Sequence, residues 1–288
     1  MRITNQMMAD NVTAQLFRQS EQMAKTQERI VTGKRINRAS DDPVGISSVL
    51  SYRKTINSLE QYNTNIAQGK LRIDTVDNVL EMVSDQLRDA KNIAFDTVPE
   101  MRAFLAEDVA TIRDQILQMA NYQLDGEYLF SGDNSAAAPY NSTTWLYNGD
   151  AGTKDVMIGE NTTASLTANG ADIFGPDTAN VFNILNDLEA ALLVPDHAAI
   201  EAQITRLDSA VETITAVRAH EAGIYKRLEA TENHNAYFKV NVEEMLSKTE
   251  DADVAEAIIN FQVQQTTYES TLATSSMIIQ KSLVDFLR

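Results

Sequence analysis

Apolar residues recur through most of this chain in steps of three and four, the spacing of one face of an α-helix. In the first arm Leu16, Met23 and Ile30 lie seven apart, with Val12 in support. Gly33 then offers the left-handed residue at which helices commonly stop. Asp42 suits an N-cap, and Pro43 suits the first helical position, where a missing N–H costs nothing. From there Leu59, Ile66, Ile73, Leu80, Leu87 and Ala94 keep a seven-residue step, with Tyr62, Gly69, Val76, Val83 and Ala90 between them. About five such heptads predict the seam of one long helix of coiled-coil type, a rod of roughly 75 Å. Pro99 breaks it. Leu105, Val109, Ile112, Ile116 and Met119 resume the rhythm, which predicts an antiparallel helical hairpin.

The texture changes at Gly126. Residues 126–195 hold seven of the eleven glycines and the single Trp. Glu127-Tyr128-Leu129-Phe130, Trp145-Leu146-Tyr147 and Val156-Met157-Ile158 read as short strands, with Asn148-Gly149 and Asn169-Gly170 as turn dipeptides. Helical spacing returns at Ile200, Ile204, Leu207, Val211 and Ile214, then less regularly through Ile224, Leu228, Phe238, Val242 and Met245. Asp253, three residues before Glu256, resembles a capping arrangement, and Val254, Ile258, Phe261, Tyr268, Leu272, Ile279 and Phe286 follow.

The fold expected is mainly α: a long antiparallel helical bundle or coiled coil built from both chain ends, with a small β-rich inserted domain. Residues 1–42 and 253–288 would form a terminal-helix domain, 43–125 and 196–252 a helical bundle, and 126–195 a β-rich outer insert. Amphipathic helices at both ends cannot bury their stripes alone, so they meet each other or neighbouring copies. Leu16, Met23 and Ile30 against Phe261, Leu272, Ile279 and Phe286 are the predicted assembly residues. Gly33, Asp42, Pro43 and Asp253 are the predicted helix caps.

Composition narrows the function. The 288 residues carry a net charge of −17 from 41 acids and 24 bases, whereas nucleic-acid binding needs a basic footprint. Residues 1–40 run against that trend with a net charge of +4, which fits a helix pairing with an acidic neighbour better than a nucleic-acid tail. There is no cysteine, which excludes disulfides, thiolate metal sites and cysteine nucleophiles. His197, His220 and His234 lack the spacing of a metal pair, and no nucleophile elbow or phosphate-binding glycine loop occurs. The acidic pairs Asp41-Asp42 and Asp251/Asp253 read as helix caps rather than cation ligands. No catalytic, cofactor or metal site is expected. Nor is a cleaved signal peptide or a membrane-spanning segment. Two classes remain: a self-assembling structural protein and a cytoplasmic helical signalling rod. The 70-residue polar insert where a signalling hairpin would have a short tip favours the first.

Glu28-Arg29-Ile30-Val31-Thr32-Gly33-Lys34-Arg35-Ile36-Asn37-Arg38-Ala39-Ser40-Asp41-Asp42-Pro43 resembles the N-terminal motif of bacterial flagellins and their hook-associated relatives. Glu250-Asp251-Ala252-Asp253-Val254-Ala255-Glu256 and the tail Ser282-Leu283-Val284-Asp285-Phe286-Leu287-Arg288 resemble the other end of that family. Met1-Arg2-Ile3-Thr4 and Gly126-Glu127-Tyr128-Leu129-Phe130-Ser131-Gly132 look like its hook-associated branch, whereas Gly45 leans toward flagellin. The resemblance implies a structural, non-enzymatic part of the flagellum at the hook–filament junction, with the filament subunit as the alternative. It implies export without a cleaved signal through the type III apparatus, with an export chaperone. It also implies a homo-oligomeric ring that contacts the other hook-associated junction protein and flagellin.

Overall fold

The computed structural model describes the backbone of residues 5–95, 101–166, 169–194 and 196–286, and side chains at Met7 and between Asp10 and Ser276 within those ranges. The chain is mainly α. In order it forms α1 (Asn5–Thr32), α2 (Pro43–Phe95), α3 (Arg102–Ala120), β1 (Gln123–Leu124), β2 (Glu127–Tyr128), β3 (Asp155–Gly159), β4 (Thr162–Ser165), α4 (Gly170–Phe174), α5 (Val181–Leu193), α6 (His197–Glu250) and α7 (Val254–Phe286). Pro99, read as the break after the long helix, lies outside the described residues. Two compact units result, residues 1–58 with 238–288 and residues 59–237, and α2 and α6 contribute to both.

In the unit of residues 59–237 the seven-residue pattern of α2 is its buried seam: Leu59, Ile66, Ile73, Leu80, Leu87 and Ala94 are all buried. Val76 to Ala94 share one core with Ala106, Val109, Ile112 and Ile116 of α3, with α5, and with Ile200, Leu207 and Ile214 of α6. Charged staples flank that core. Arg218 of α6 grips Asp77 of α2 through two bonds of 2.7 and 3.1 Å, Lys91 reaches Asp208 at 2.5 Å, and Lys70 reaches Glu232 at 3.1 Å. Such a two-pronged guanidinium–carboxylate pair fixes register as well as adding attraction.

Helix α6 looked irregular past Ile214, yet its heptad does not lapse. The inward positions continue as Arg218, Glu221, Tyr225, Leu228, Glu232, Asn235, Lys239 and Val242, each at least half-buried. Phe238 and Met245, counted in the apolar rhythm, are instead 45% and 52% exposed. Several of these polar seam residues have partners there: Arg218 pairs with Asp77, Glu232 with Lys70, and Asn235 donates to Asn63 Oδ1 and to the Ile158 carbonyl, both at 3.2 Å. A buried polar group with such bonds avoids most of its desolvation cost.

Among the described residues of 126–195, read as β-rich, the strands are β2, which pairs with β1 just before the segment, and the antiparallel pair β3–β4, together with two helices. The tight turn is Asp125-Gly126, with φ of 53° and 83°, the left-handed pair that a two-residue hairpin demands. Trp145-Leu146-Tyr147 forms no strand beyond a single bridge from Tyr147 to Tyr140. Asn169 caps α4, and Asn180 caps α5 by accepting from Asn183 N–H at 2.9 Å. The segment also shares its cores with the surrounding helices. Phe130, Tyr140, Phe174 and Phe182 sit in the α2–α3–α5–α6 core, with Tyr140 centred 5.6 Å from Phe174 and 5.0 Å from Phe182. The β3–β4 hairpin places Ile158, Ala164 and Leu166 against Ile66, Ile73 and Leu228. Arg72 ties the two together, donating from within α2 to the carbonyls of Leu166 (3.3 Å) and Leu129 (3.1 Å).

Leu80 is fully buried at the middle of this seam. Leu80→Ala should lower the stability of the 59–237 unit by about 2–5 kcal/mol, the cost of lost burial plus a cavity. Denaturant titration followed through Trp145 checks it, because that single Trp packs on the same core.

Candidate functional site

The sequence places its candidate site at the two chain ends, and the structure brings them together within the unit of residues 1–58 and 238–288. The motif after α1 and the motif after α6 form a clasp. Gly33, at φ 69°, ends α1 and donates to the Arg29 carbonyl at 2.9 Å. Its own carbonyl accepts Ala252 N–H at 2.9 Å, and Lys34 bridges Asp251. Arg35 N–H donates to the Glu250 carbonyl at 2.6 Å, while the Arg35 guanidinium donates to the Thr249 carbonyl at 2.7 Å across 214 residues of sequence. A helix C-terminus leaves carbonyls without partners and carries partial negative charge. Here the last turn of α6 is completed by backbone and cations from the opposite end of the chain.

Glu250 is the centre of the clasp. Its side chain is 5% exposed, and one carboxylate oxygen is paired with Lys34 at 2.7 Å and with Arg53 of α2. Ile36, 2% exposed, plugs the clasp with its side chain. Two bases of residues 1–40 meet acids outside that segment, Lys34 with Glu250 and Arg35 with Asp42, whereas Arg38 pairs with Glu28 inside it.

The four cap residues stand at helix ends. Asp42 Oδ1 accepts Gly45 N–H at 2.8 Å, and Pro43 opens α2. Asp41 closes the loop by accepting from the N–H groups of Asn37 (3.1 Å) and Arg38 (2.9 Å). Asp253 accepts from Ala255 (2.9 Å) and Glu256 (3.1 Å) at the start of α7. The N–H bond from Arg38 holds the Asp41 carboxyl below its ordinary pKa, and the bond from Gly45, with Arg35 alongside, does the same for Asp42. A Cβ at Gly45 would come within 2.6 Å of Ile36 Cδ1, so packing of the clasp itself calls for glycine there.

From the clasp, α7 runs back along α1, and the two helices pack together. The inward face of α1 is Val12, Leu16, Gln19, Met23, Thr26 and Ile30, and that of α7 is Ala257, Phe261, Gln264, Tyr268, Thr271 and Ser275. Both follow a strict four–three step. Leu16, Met23, Ile30 and Phe261 therefore lie in the seam. Leu272 does not: it falls one position past Thr271 and is 43% exposed. The side chains of Ile279 and Phe286, and the rest of the tail motif, lie outside the described residues. Five of these twelve inward residues are Gln, Thr or Ser, and the side-chain carbonyls of Gln19 and Gln264 are buried without a hydrogen-bond partner among the described residues. Meanwhile Phe17, Val31, Ile259 and Val263 stand 60–79% exposed on the outer faces. The polar seam and the outer apolar residues were not legible from heptad counting alone.

Residues 3–135 match the sequence model of the bacterial flagellin N-terminal helical region. The flagellar hook-associated protein 3 of Salmonella typhimurium is 26% identical across 95% of this chain and 96% of that protein. The flagellin of Bacillus subtilis is 25% identical across 91% and 90%. In fold, a solved structure described as a putative flagellar hook-associated protein from Vibrio parahaemolyticus superposes with a TM-score of 0.69. That match has 21% identity and covers 73% of this chain and all of that one. Among the described residues no cluster of His, Asp and Glu is placed to hold a metal, the three histidines are exposed, and no helix is long and apolar enough to cross a membrane.

Glu250→Gln keeps the shape of the side chain and removes the charge that Lys34 and Arg53 share. The expected loss is about 1–3 kcal/mol, less than for a fully buried pair, because those cations remain near half-exposed. Hydrogen exchange should accelerate in α1 and α7 while the core of residues 73–94 keeps its protection; unchanged exchange at both would remove Glu250 from its central role.

Acid should open the same clasp. Asp41 and Asp42 have lowered pKa values in the fold, so the stability they lend is present above the unfolded carboxylate pKa. It is lost as pH falls through the depressed values. An acid titration followed by hydrogen exchange should show residues 33–46 fraying early, and the doubly substituted Asp41→Asn, Asp42→Asn chain should lose that step.

Proposed function

We propose that this chain is the adaptor at the junction between flagellar hook and filament, built into a homo-oligomeric ring through its paired ends. The observation that supports it most is the near full-length similarity to a flagellar hook-associated protein 3, joined to a clasped α1–α7 pair that leaves large apolar residues such as Phe17, Val31, Ile259 and Val263 exposed. Residues 1–42 and 253–288 are the assembling part in this reading, and Leu16, Met23, Ile30, Phe261, Leu272, Ile279 and Phe286 line it. Stripes left exposed by the pair are buried by neighbouring chains, each fully covered apolar side chain contributing about 1.5–3 kcal/mol. The work is mechanical, and no covalent bond is made or broken. The partners are further copies, the other hook-associated junction protein, flagellin, and an export chaperone with the type III apparatus. The protein acts outside the cell and leaves it without a cleaved signal.

The similarity to the Bacillus subtilis flagellin supports a second reading, a filament subunit. Labelling the protein on intact flagella separates the two. A narrow band where hook meets filament is expected; uniform decoration of the filament decides for the second reading. Deleting residues 254–288 should stop incorporation while the Trp145 core stays folded, and normal incorporation of that truncation would refute an assembly role for the paired ends.

A further inference from the structure

Two Asn-Gly dipeptides occur in this chain, Asn148-Gly149 and Asn169-Gly170. A glycine after asparagine leaves the following backbone nitrogen without a shielding Cβ, so it can approach the asparagine side-chain carbonyl. The fold treats the two pairs differently. Asn169 is the N-cap of α4, its Oδ1 accepting from Ala171 N–H at 3.0 Å, and Gly170 N–H donates to the Phe130 carbonyl at 2.9 Å. Gly170 is buried besides. Both atoms that would react are occupied.

Asn148 is exposed. Its own N–H donates to the Pro139 carbonyl at 2.8 Å, and Asp150 N–H donates to Ser131 at 3.1 Å. Between them, Gly149 N–H and the Asn148 side chain enter no hydrogen bond among the described residues. We propose that Asn148 is a site of spontaneous deamidation and that the fold protects Asn169. The Gly149 nitrogen, giving its proton to solvent, bonds to Cγ of Asn148. The bond from Cγ to the side-chain amide nitrogen breaks, and that nitrogen leaves as ammonia. Water then opens the resulting five-membered succinimide at either carbonyl, giving aspartate or isoaspartate. Nothing is oxidised or reduced.

The product is placed to matter. Its carboxylate would join a loop that already holds Asp150 and Asp133, where Asp150 Oδ1 accepts from Asp133 N–H at 2.7 Å. The isoaspartyl form would also lengthen the backbone between Tyr147 and Asp150. Those residues are tied by the 3.2 Å bond from the Tyr147 hydroxyl to the Asp150 carbonyl, and the same hydroxyl reaches Phe130 at 3.0 Å. Burial pushes that phenol's pKa up to about 12, so it remains a donor.

The test is to age the folded full-length chain in mildly alkaline buffer, with a parallel sample unfolded in denaturant, and to map peptides by mass. In the folded chain Asn148 should convert more than about tenfold faster than Asn169, whose hydrogen bonds must first open. Unfolding should bring the two rates close together. Asn148→Gln should abolish the early acidic species without altering the fold. Equal rates in the folded chain, earlier conversion of Asn169, or no conversion of either until the chain is unfolded would each overturn the proposal.

Discussion

One carboxylate sets the terms for the unit that holds both chain ends. Glu250 is almost completely removed from water, yet it stays paired because Lys34 approaches it from the loop after α1 and Arg53 from α2. A buried unpaired charge costs several kcal/mol, so the end of α6, the loop after α1 and the first turns of α2 are mutually dependent. The backbone bonds from Arg35, Ile36 and Ala252 follow from that placement. The start of α7 is fixed three residues after Glu250 by Asp253. The direction in which α7 leaves, and therefore which residues face α1, is a consequence of the clasp more than of attraction between the two stripes.

The seam between α1 and α7 shows why such a pair is suited to assembly. Coiled coils that persist alone fill both inward positions with large apolar side chains. Here Gln19, Thr26, Gln264, Thr271 and Ser275 occupy five inward positions, and larger apolar residues such as Phe17 and Val263 face outward. Specificity within the chain is bought at the seam, while much of the apolar surface remains for further contacts.

What the residue pattern disclosed tracks where apolar character carries the packing. The heptads of α2 and α3 were legible because Leu, Ile and Val fill them, and the caps were legible because Asp, Pro and Gly have local roles that need no partner. The lower half of α6 was not, since Asn235 holds a core position for a reason that only a neighbour 172 residues away supplies. Helix α5 was hidden by the glycine- and asparagine-rich run before it, although Val181, Ile184, Leu185 and Leu188 have helical spacing. At the candidate site the motifs announced themselves, but nothing along the chain says that Arg35 completes the end of α6. Leu272 followed the heptad of the tail residues and missed the true inward face by one position.

The 214-residue separation across the clasp also bears on the order of events in folding. Joining such distant segments forfeits loop entropy that no nearby contact returns. Within residues 59–237, by contrast, α2, α3 and α5 meet over much shorter separations and bury a continuous apolar core. Bringing α2 and α6 together first would leave only short tethers between Arg35 and Thr249. The chain ends are thus the last part to find their partners, and on the same reasoning the first to let go.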